Sequence, residues 1–274
     1  MLNIKCFFEE TSSTFSYVVT DTATNVAVVI DSVYGYDQYS GRTNTKFADT
    51  IIDYVKSNNL SIAWILDTHI HADHVTAAYY LKQKLNAPIA IGTNITKVLQ
   101  LWEPIFANNV PVDGSQFDRL LKDNDKINFG NKTIIAMHTP GHTPACVSYL
   151  IEDVIFVGDT IFQPDVGTAR TDFPGGSAEM MYDSINKILS LPDNTRIFAC
   201  HDYPPTDRAV SYVSTVAEQK QSNVMWNMTK SEYVSLRNSR DYGKPVPKML
   251  LPSIQANMQA GVIPNPVKIP TDKI

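Results

Sequence analysis

The histidines of this chain are concentrated at three points, and each point follows an apolar run of the kind that forms strands. All six histidines of the 274 residues lie in the segments 68–74 (THIHADH), 138–142 (HTPGH) and 201–203 (HDY). In α/β folds, the side chains that follow strand ends meet at one edge of a sheet, where functional sites are built. We therefore expect a fold in which three strand ends bring these histidines together.

The spacing of apolar residues predicts an α/β fold in which strands and helices alternate. Runs of β-branched and aromatic residues predict an N-terminal hairpin and further short strands, at 14–20, 25–31, 62–66, 88–91, 133–137, 147–150, 154–157 and 196–200. Apolar residues at helical spacing predict amphipathic helices at 45–57 and 178–189, and another helix that ends near Leu85.

No linker rich in Gly or Ser divides the chain, so we expect a single domain over residues 1–274. Its core is expected at about 14–204, with a helical and Pro-rich tail at 205–274 that wraps the core. The segment 94–125 is longer than a compact α/β core needs. We expect it to form a helix and a flap beside the site.

Composition restricts the class of protein. A hydrophobic fraction of 43% is that of an ordinary globular chain. A net charge of −5 without a basic stripe argues against nucleic-acid binding. No apolar run approaches 18 residues and no targeting segment is visible, so no membrane association is expected. Three scattered cysteines without a CxxC pair favour a reducing, cytoplasmic setting. A homodimer is compatible with the sequence.

The histidine segments have the chemistry of a metal site. Histidine is the commonest transition-metal ligand, and aspartate is a frequent partner. A single tight turn carries His69, His71, Asp73 and His74. A fifth residue, Asp159, ends an apolar strand, where a carboxylate is costly to bury unless it is paired or bound to a metal. The sequence therefore predicts a metal centre built from these residues together with the two later histidine segments.

Four segments together resemble the metallo-β-lactamase superfamily: THIHADH, TPGHT, GDT and CHDY. The resemblance spans about residues 14–204 and implies an αββα sandwich with the metal site along one edge. In the two-metal hydrolases of that superfamily, it implies a first metal on His69, His71 and His142 and a second on Asp73, His74 and His201. In that arrangement Asp159 bridges the two metals. All seven positions are filled here without substitution.

Within the superfamily, the chain resembles the persulfide dioxygenase (sulfur dioxygenase) group. The stretch 167–173 (GTARTDF) is similar to the GRTDF signature of those enzymes, and HDY is shared. The tail segment 257–261 (NMQAG) is similar to their NMRCG-like segment, with Gln259 and Ala260 in place of arginine and cysteine. This departure marks a divergent branch.

That resemblance implies a single Fe(II) on His69, His142 and Asp159. Two histidines and one carboxylate leave positions open for O₂ and a sulfur substrate. The remaining four side chains would orient the ligands and hold water, namely His71, Asp73, His74 and His201.

Other residues near the histidine segments are candidates for supporting roles. Asp73, His74 and Tyr203 are candidate catalytic residues. The Tyr203 phenol lies two residues past His201, which is expected to place it near a bound sulfur or oxygen atom. Arg170 is a candidate cofactor-site residue, whose guanidinium pairs with Asp172 or a neighbouring loop and braces the site. The thiols of Cys146 and Cys200 are expected to be buried and inert.

Two functions from different classes of enzyme fit this sequence. The favoured one is an Fe(II)-dependent dioxygenase that converts a glutathione-type persulfide and O₂ to sulfite and thiol. The alternative is a hydrolase with one or two Zn(II) ions, which cleaves a thioester like glyoxalase II or a lactone. In both cases the partner is a small molecule. A catalytically inactive binding module is disfavoured because no ligand position is lost. A nuclease is disfavoured because the chain has no stripe of basic residues.

Overall fold

The computed structural model describes residues 1–272, which form two six-stranded sheets and one small three-stranded sheet. In chain order, the strands of this described part are β1 (Leu2–Glu9), β2 (Thr14–Asp21), β3 (Val26–Ile30), β4 (Val33–Tyr36), β5 (Thr43–Asn44), β6 (Ser61–Leu66), β7 (Val75–Thr76), β8 (Ile89–Gly92), β9 (Arg119–Leu121), β10 (Lys126–Phe129), β11 (Lys132–His138), β12 (Val147–Ile151), β13 (Val154–Phe156), β14 (Arg196–Phe198) and β15 (Val213–Thr215). Its helices are α1 (Lys46–Ser57), α2 (Ala78–Leu85), α3 (Ile95–Phe106), α4 (Ala178–Leu189), α5 (Val216–Ser222), α6 (Lys230–Asp241) and α7 (Leu250–Asn257).

Both large sheets combine antiparallel and parallel pairs. The first sheet has the order β1-β2-β3-β6-β8-β9, and it is antiparallel up to β3 and parallel from there on. The second sheet has the order β10-β11-β12-β13-β14-β15, in which only β13 and β14 run parallel. The parallel pairs are those whose connections contain helices, as expected for α/β crossovers.

The alternation of side chains along the strands separates the core into layers. In β2, Tyr17 and Val19 face the second sheet, whereas Val18 faces the opposite way, toward α1 and α2. In β13, Phe156 faces the first sheet and Ile155 packs against α4. Apolar residues on both faces of each sheet therefore bury one layer between the sheets and one helical layer on each outside. The α/β fold and the αββα sandwich are as predicted.

The helix predicted at 178–189 coincides with α4, and the helix predicted at 45–57 begins one residue later. The strand predicted at 196–200 ends at Phe198. Strand β1 was missing from the predictions although its sequence carried the signal, since Leu2, Ile4, Cys6 and Phe8 alternate along it and pack against the core.

Segment 94–125 contains the predicted helix, but the predicted flap is wrong. Its first half is α3, whose buried Val98, Leu99 and Trp102 pack in the outer layer of the first sheet. Its end is β9, which pairs in parallel with β8 and forms the edge of that sheet. The apolar residues of α3 recur at helical spacing and are buried, and two of them, Val98 and Trp102, border a small cavity together with His142.

The tail packs on both halves of the sandwich. Val216 and Tyr233 are buried in the outer layer of the second sheet, and Leu250, Ile254 and Met258 are buried in the outer layer of the first sheet. Helices α5 and α6 both begin with a capping box, which satisfies free backbone N–H groups at their first turns. Across residues 1–272, no helix combines the length and apolar character needed to cross a membrane.

The loop before His142 depends on a glycine. Gly141 has a φ of +150°, and a Cβ added there would meet the backbone of Met181 in α4. Gly243 has a φ of +74° but has open space around it. We expect Gly141→Ala to lower the free energy of unfolding by about 3 kcal/mol, because both backbone strain and overlap are introduced. The matched Gly243→Ala adds only strain and should cost about 1 kcal/mol.

Urea denaturation of the two metal-free variants measures both losses. Equal losses in the two variants would contradict the close packing of the 138–142 loop on α4.

Candidate metal centre

The seven side chains predicted as ligands meet at one edge of the two sheets. They form two groups in which the candidate ligand atoms all lie within 4.8 Å of one another. The first ligand group is His69, His142 and Asp159, and the second ligand group is His71, Asp73, His74 and His201. The turn after β6 supplies four of the seven residues, and the loops after β11, β13 and β14 supply one each.

The first ligand group is arranged around a common point. The Oδ2 atom of Asp159 lies 3.8 Å from Nε2 of His69 and 3.6 Å from Nε2 of His142. These distances are too long for hydrogen bonds. They suit atoms that share one metal ion, since each would lie about 2.0–2.2 Å from it.

His201 connects the two ligand groups. Its Nε2 atom lies 3.4 Å from Oδ1 of Asp159 and 3.4 Å from Oδ2 of Asp73. The same Asp73 oxygen lies 3.2 Å from Nδ1 of His74. Asp159 therefore presents one oxygen to each group.

In three of the histidines, the ring nitrogen that points away from the centre contacts a carbonyl or carboxylate oxygen, which accepts a hydrogen bond. The Nδ1 atom of His142 donates to the Arg170 carbonyl at 2.8 Å, and Nδ1 of His201 donates to the Ser13 carbonyl at 3.1 Å. The Nε2 atom of His71 lies 3.2 Å from a carboxylate oxygen of Asp31. A proton on the far nitrogen leaves the near nitrogen with a free lone pair, which is the form a metal requires.

The inward atoms have no protein partner. Among the described residues, five buried side-chain atoms at the centre make no hydrogen bond: His69 Nε2, His71 Nδ1, His74 Nε2, Asp159 Oδ1 and His201 Nε2. Buried polar atoms without partners are rare because each is costly, and an absent ion is one of the ordinary explanations. The donor set of imidazole nitrogens and carboxylate oxygens thus fits a transition metal such as iron or zinc.

A cavity of about 400 Å³ opens onto the centre. Its inner wall is apolar and includes Phe162, Val166 and Phe173, while Asp73, His142 and Asp159 contribute polar atoms. The ring of Phe173 stands edge to face with His142 at a centroid distance of 5.1 Å. Three cations also line the cavity: Arg240 and Lys244 are exposed, whereas Arg237 is buried and paired with Asp241, and Lys244 Nζ lies 3.6 Å from the same Asp241 carboxylate.

The geometry of the centre has its counterpart in known proteins. The family model of the metallo-β-lactamase superfamily matches residues 11–201. The chain belongs to this superfamily. The matched range contains all seven residues of the two ligand groups.

Relatives of two kinds lie within the superfamily. Glyoxylase B2 of Dictyostelium discoideum is 47% identical, over 95% of this chain and 91% of its own length. A probable metallo-hydrolase of Burkholderia pseudomallei is 44% identical over the full length of both chains. The human mitochondrial persulfide dioxygenase ETHE1 is 29% identical, over 94% of this chain and 89% of its own length.

Among solved structures, the crystal structure of ETHE1 from Myxococcus xanthus superimposes with a TM-score of 0.76. It is 28% identical to this chain, and the alignment covers 94% of this chain and 99% of ETHE1. The overlap extends beyond residue 201, so the tail of this metallo-β-lactamase-fold protein aligns as well.

Arg170 is engaged by the protein itself. Its guanidinium donates to both carboxylate oxygens of Asp172, at 2.6 and 2.7 Å, and to the Pro245 carbonyl at 2.8 Å. It also lies over the ring of Phe173, 5.0 Å from the centroid. Through these contacts the Arg170 side chain connects the Phe173 ring with the tail at Pro245. The backbone carbonyl of Arg170 accepts the hydrogen bond from His142.

The other residues singled out in the sequence differ in whether they line this cavity. Tyr203 lines the cavity, and its ring is stacked on that of His201 at 5.9 Å. In the described part of the chain, neither Gln259 nor Ala260 lines this cavity. The thiols of Cys146 and Cys200, which were expected to be buried and inert, are buried. Burial raises the pKa of Cys146 to about 12 and that of Cys200 well above its ordinary value.

Sequence reasoning missed two residues that contact the turn after β6. Asp31 is buried, and besides His71 it accepts hydrogen bonds from the backbone N–H and the hydroxyl of Thr68. Its signal was present, since it ends an apolar strand in the same way as Asp159. Asn257 donates to the backbone of the turn from a distant tail helix, and no local pattern predicts such a contact.

The histidines of the centre differ in their proton affinity. Burial, reinforced by neighbouring histidines, lowers the pKa of His69 and His71 well below the ordinary value. Burial acts in the same direction on His201, but the carboxylates of Asp159 and Asp73 outweigh it and raise its pKa. For Asp73, burial is outweighed by His201 and His74, which hold its pKa well below the usual range. His69 and His71 are therefore neutral and ready to bind a metal near neutral pH.

The lowered pKa of His71 predicts a pH dependence in the metal-free protein. Between pH 7.5 and 5.5 the unfolded chain binds a proton at this residue, with an ordinary pKa near 6.5, while the folded chain does not. Stability therefore falls as the pH falls, by up to about 1.4 kcal/mol for one histidine. In His71→Gln, which keeps a donor for Asp31, the loss of stability over this range should be smaller by that amount.

Urea midpoints of the two metal-free proteins at several pH values test this expectation. An equal or steeper loss in His71→Gln would contradict the neutral state of His71.

Proposed function

We propose that this protein is an iron-dependent dioxygenase that oxidises a persulfide carried by a glutathione-type thiol. The observation that carries the proposal is the first ligand group, in which two imidazole nitrogens and one carboxylate converge beside a cavity that His142 and Asp159 line. Bound there, Fe(II) would supply open positions at which O₂ and the persulfide sulfur meet. The overall change is persulfide, O₂ and water to thiol, sulfite and protons.

The apolar inner wall supports this chemistry. Phe162, Val166 and Phe173 border the space in front of His142 and Asp159. These rings and methyl groups exclude water and accommodate a polarisable sulfur chain. Arg170 keeps the Phe173 ring in place through its pair with Asp172 and its position over the ring.

The charge at the cavity mouth supports an anionic substrate. The guanidinium of Arg237 is engaged with the buried Asp241 and with the Thr168 carbonyl. The exposed side chains of Arg240 and Lys244 lie further out. A glutathione-type thiol carries carboxylates on a flexible backbone, so these cations attract it while its sulfur extends toward the first ligand group.

The second ligand group would manage water and protons in this reaction. Asp73 lines the cavity and is held ionised by His201 and His74. Its carboxylate would orient the water molecule whose oxygen the product sulfite requires, and it would take up a proton. The Tyr203 phenol borders the same space and would donate a hydrogen bond to the departing anion.

A dinuclear zinc hydrolase is the second candidate, and a specific observation favours it. Within the described chain, His74 Nε2 and His201 Nε2 are buried without partners, as ligands of a second ion would be, and so is His71 Nδ1, which the two-metal arrangement assigns to the first ion. Relatives at 44–47% identity carry the names metallo-hydrolase and glyoxylase. Two zinc ions would activate water for attack on a thioester or lactone carbonyl.

Oxygen consumption tests the first candidate directly. Iron-loaded protein given glutathione persulfide should take up O₂ and release sulfite, while it should hydrolyse lactoylglutathione slowly. His142→Ala removes one nitrogen of the first ligand group and should abolish the uptake. His138→Ala is the matched control, because His138 belongs to neither group and contacts the Leu121 carbonyl instead.

The opposite pattern would replace the proposal by its alternative. If no persulfide drives O₂ uptake by the iron-loaded protein, while the zinc-loaded protein rapidly cleaves a thioester or lactone, the protein is a hydrolase.

Metal stoichiometry separates the one-metal and two-metal centres independently of turnover. For the dioxygenase we expect one iron per chain, complete loss in His69→Ala and Asp159→Ala, and retention of most of the iron in His201→Ala. A two-metal centre would instead hold two ions per chain, and His201→Ala would lose one of them. Elemental analysis of protein dialysed after metal loading gives the numbers. Equal loss in all three variants would contradict both arrangements.

A further inference from the structure

The turn that carries four of the seven ligand residues is held from the far end of the chain. Asn257, the last residue of α7, is 1% exposed. Its Nδ2 donates to the carbonyl of His71 at 2.9 Å and to the carbonyl of His74 at 2.8 Å. Its Oδ1 accepts a hydrogen bond from the backbone N–H of Thr76 at 2.8 Å. One side chain thus joins three backbone groups on both sides of Asp73.

Only a carboxamide matches these three groups. The two carbonyls need donors, the backbone N–H needs an acceptor, and a side-chain amide offers two donors and an acceptor in one plane. The turn 69–74 lies between β6 and β7 and has no strand partner of its own for these carbonyls. In the folded protein, the Asn257 side chain therefore makes the hydrogen bonds that a neighbouring strand would otherwise make with this turn.

The position of Asn257 is itself fixed by packing. Ile254 in α7 and Met258, directly after the helix, are buried in the outer layer of the first sheet. The carbonyl of Ala260 accepts a hydrogen bond from the backbone N–H of Tyr79 at 3.0 Å. Gly261 lies so close to the Thr76 carbonyl that a side chain there would overlap it. The amide is thus presented to the turn by a rigid support.

We propose that Asn257 is a positioning residue of the metal centre. By fixing the backbone at His71 and His74, it sets the direction in which the rings of the whole turn, including that of His69, face the centre. The metal-free protein is then already arranged for binding, and metal affinity depends on this tail residue although it touches no metal. The proposal applies equally to an iron and to a zinc centre, so it stands apart from the choice of reaction.

The same helix offers a matched control. Gln255 is also fully buried, and its Nε2 donates to two carbonyls, those of Leu251 and Lys268, both at 2.9 Å. Its Oε1 accepts a hydrogen bond from the backbone N–H of Lys268 at 2.9 Å. Its Oε1 also accepts a hydrogen bond from the Asn108 side chain at 3.1 Å. Like Asn257, the side chain donates to two carbonyls and accepts from one backbone N–H, but its partners lie in the tail and after α3, and none lies in the metal-binding turn.

The test compares Asn257→Asp with Gln255→Glu. Each change keeps the shape of the side chain and places a carboxylate oxygen against two carbonyl oxygens. We expect Asn257→Asp to bind Co(II) and Zn(II) about 10–100-fold more weakly in competition with a chelator. The visible absorption bands of the Co(II) protein should also change, because they report ligand geometry. Gln255→Glu should bind both metals within about twofold of wild type, with unchanged bands.

The melting temperatures of the metal-free proteins separate positioning from general stability. Equal loss of affinity in the two variants, or an Asn257→Asp protein with wild-type affinity and Co(II) bands, would overturn the proposal. If Asn257→Asp is insoluble, Asn257→Ala, which adds no charge, takes its place with the same expectations. Folding of that variant only in the presence of metal would support the proposal, whereas failure to fold with and without metal would overturn it.

Discussion

The structure depends most on a set of buried nitrogen and oxygen atoms that are kept free of protein partners. In a protein interior such atoms are costly, and nearly all of them are paired. Here, among residues 1–272, five of them face one another at the edge of the sandwich. The outward nitrogens of three of the rings are bound to Ser13, Asp31 and Arg170, so those rings cannot turn away. A metal ion satisfies the inward atoms and compensates for the cost of their burial.

The sequence was sufficient to predict this centre because its residues are local or follow recognisable strands. His69 to His74 form one turn, and His142, Asp159 and His201 each follow an apolar run. The prediction failed where tertiary contacts decide. The helix expected in segment 94–125 is present, but the expected flap is not, because Val110 and Phe117 after the helix are buried in the outer layer of the first sheet. Asn257 lies more than 180 residues from its partners, and no periodicity connects them.

The cavity divides its functions between an apolar interior and a charged mouth. Next to His142, the ring of Phe173 lowers the local polarity and strengthens electrostatic interactions at the centre. Arg240 and Lys244 are exposed and act over longer distances. For the proposed substrates, this separation would let the charged portion be selected at the mouth while the reacting sulfur or carbonyl group is kept away from bulk water.

The ligands lie within the region that defines the superfamily, but their geometry depends on residues beyond it. The matched region ends at residue 201. The Pro245 carbonyl binds Arg170, whose own carbonyl orients His142, and Asn257 binds the backbone of His71 and His74. The tail thus contacts both sides of the centre, through a loop on one side and a helix on the other. A metal site assembled from loops between two sheets needs such external supports, because strand pairing alone fixes the ends of the strands and not the turns that follow them.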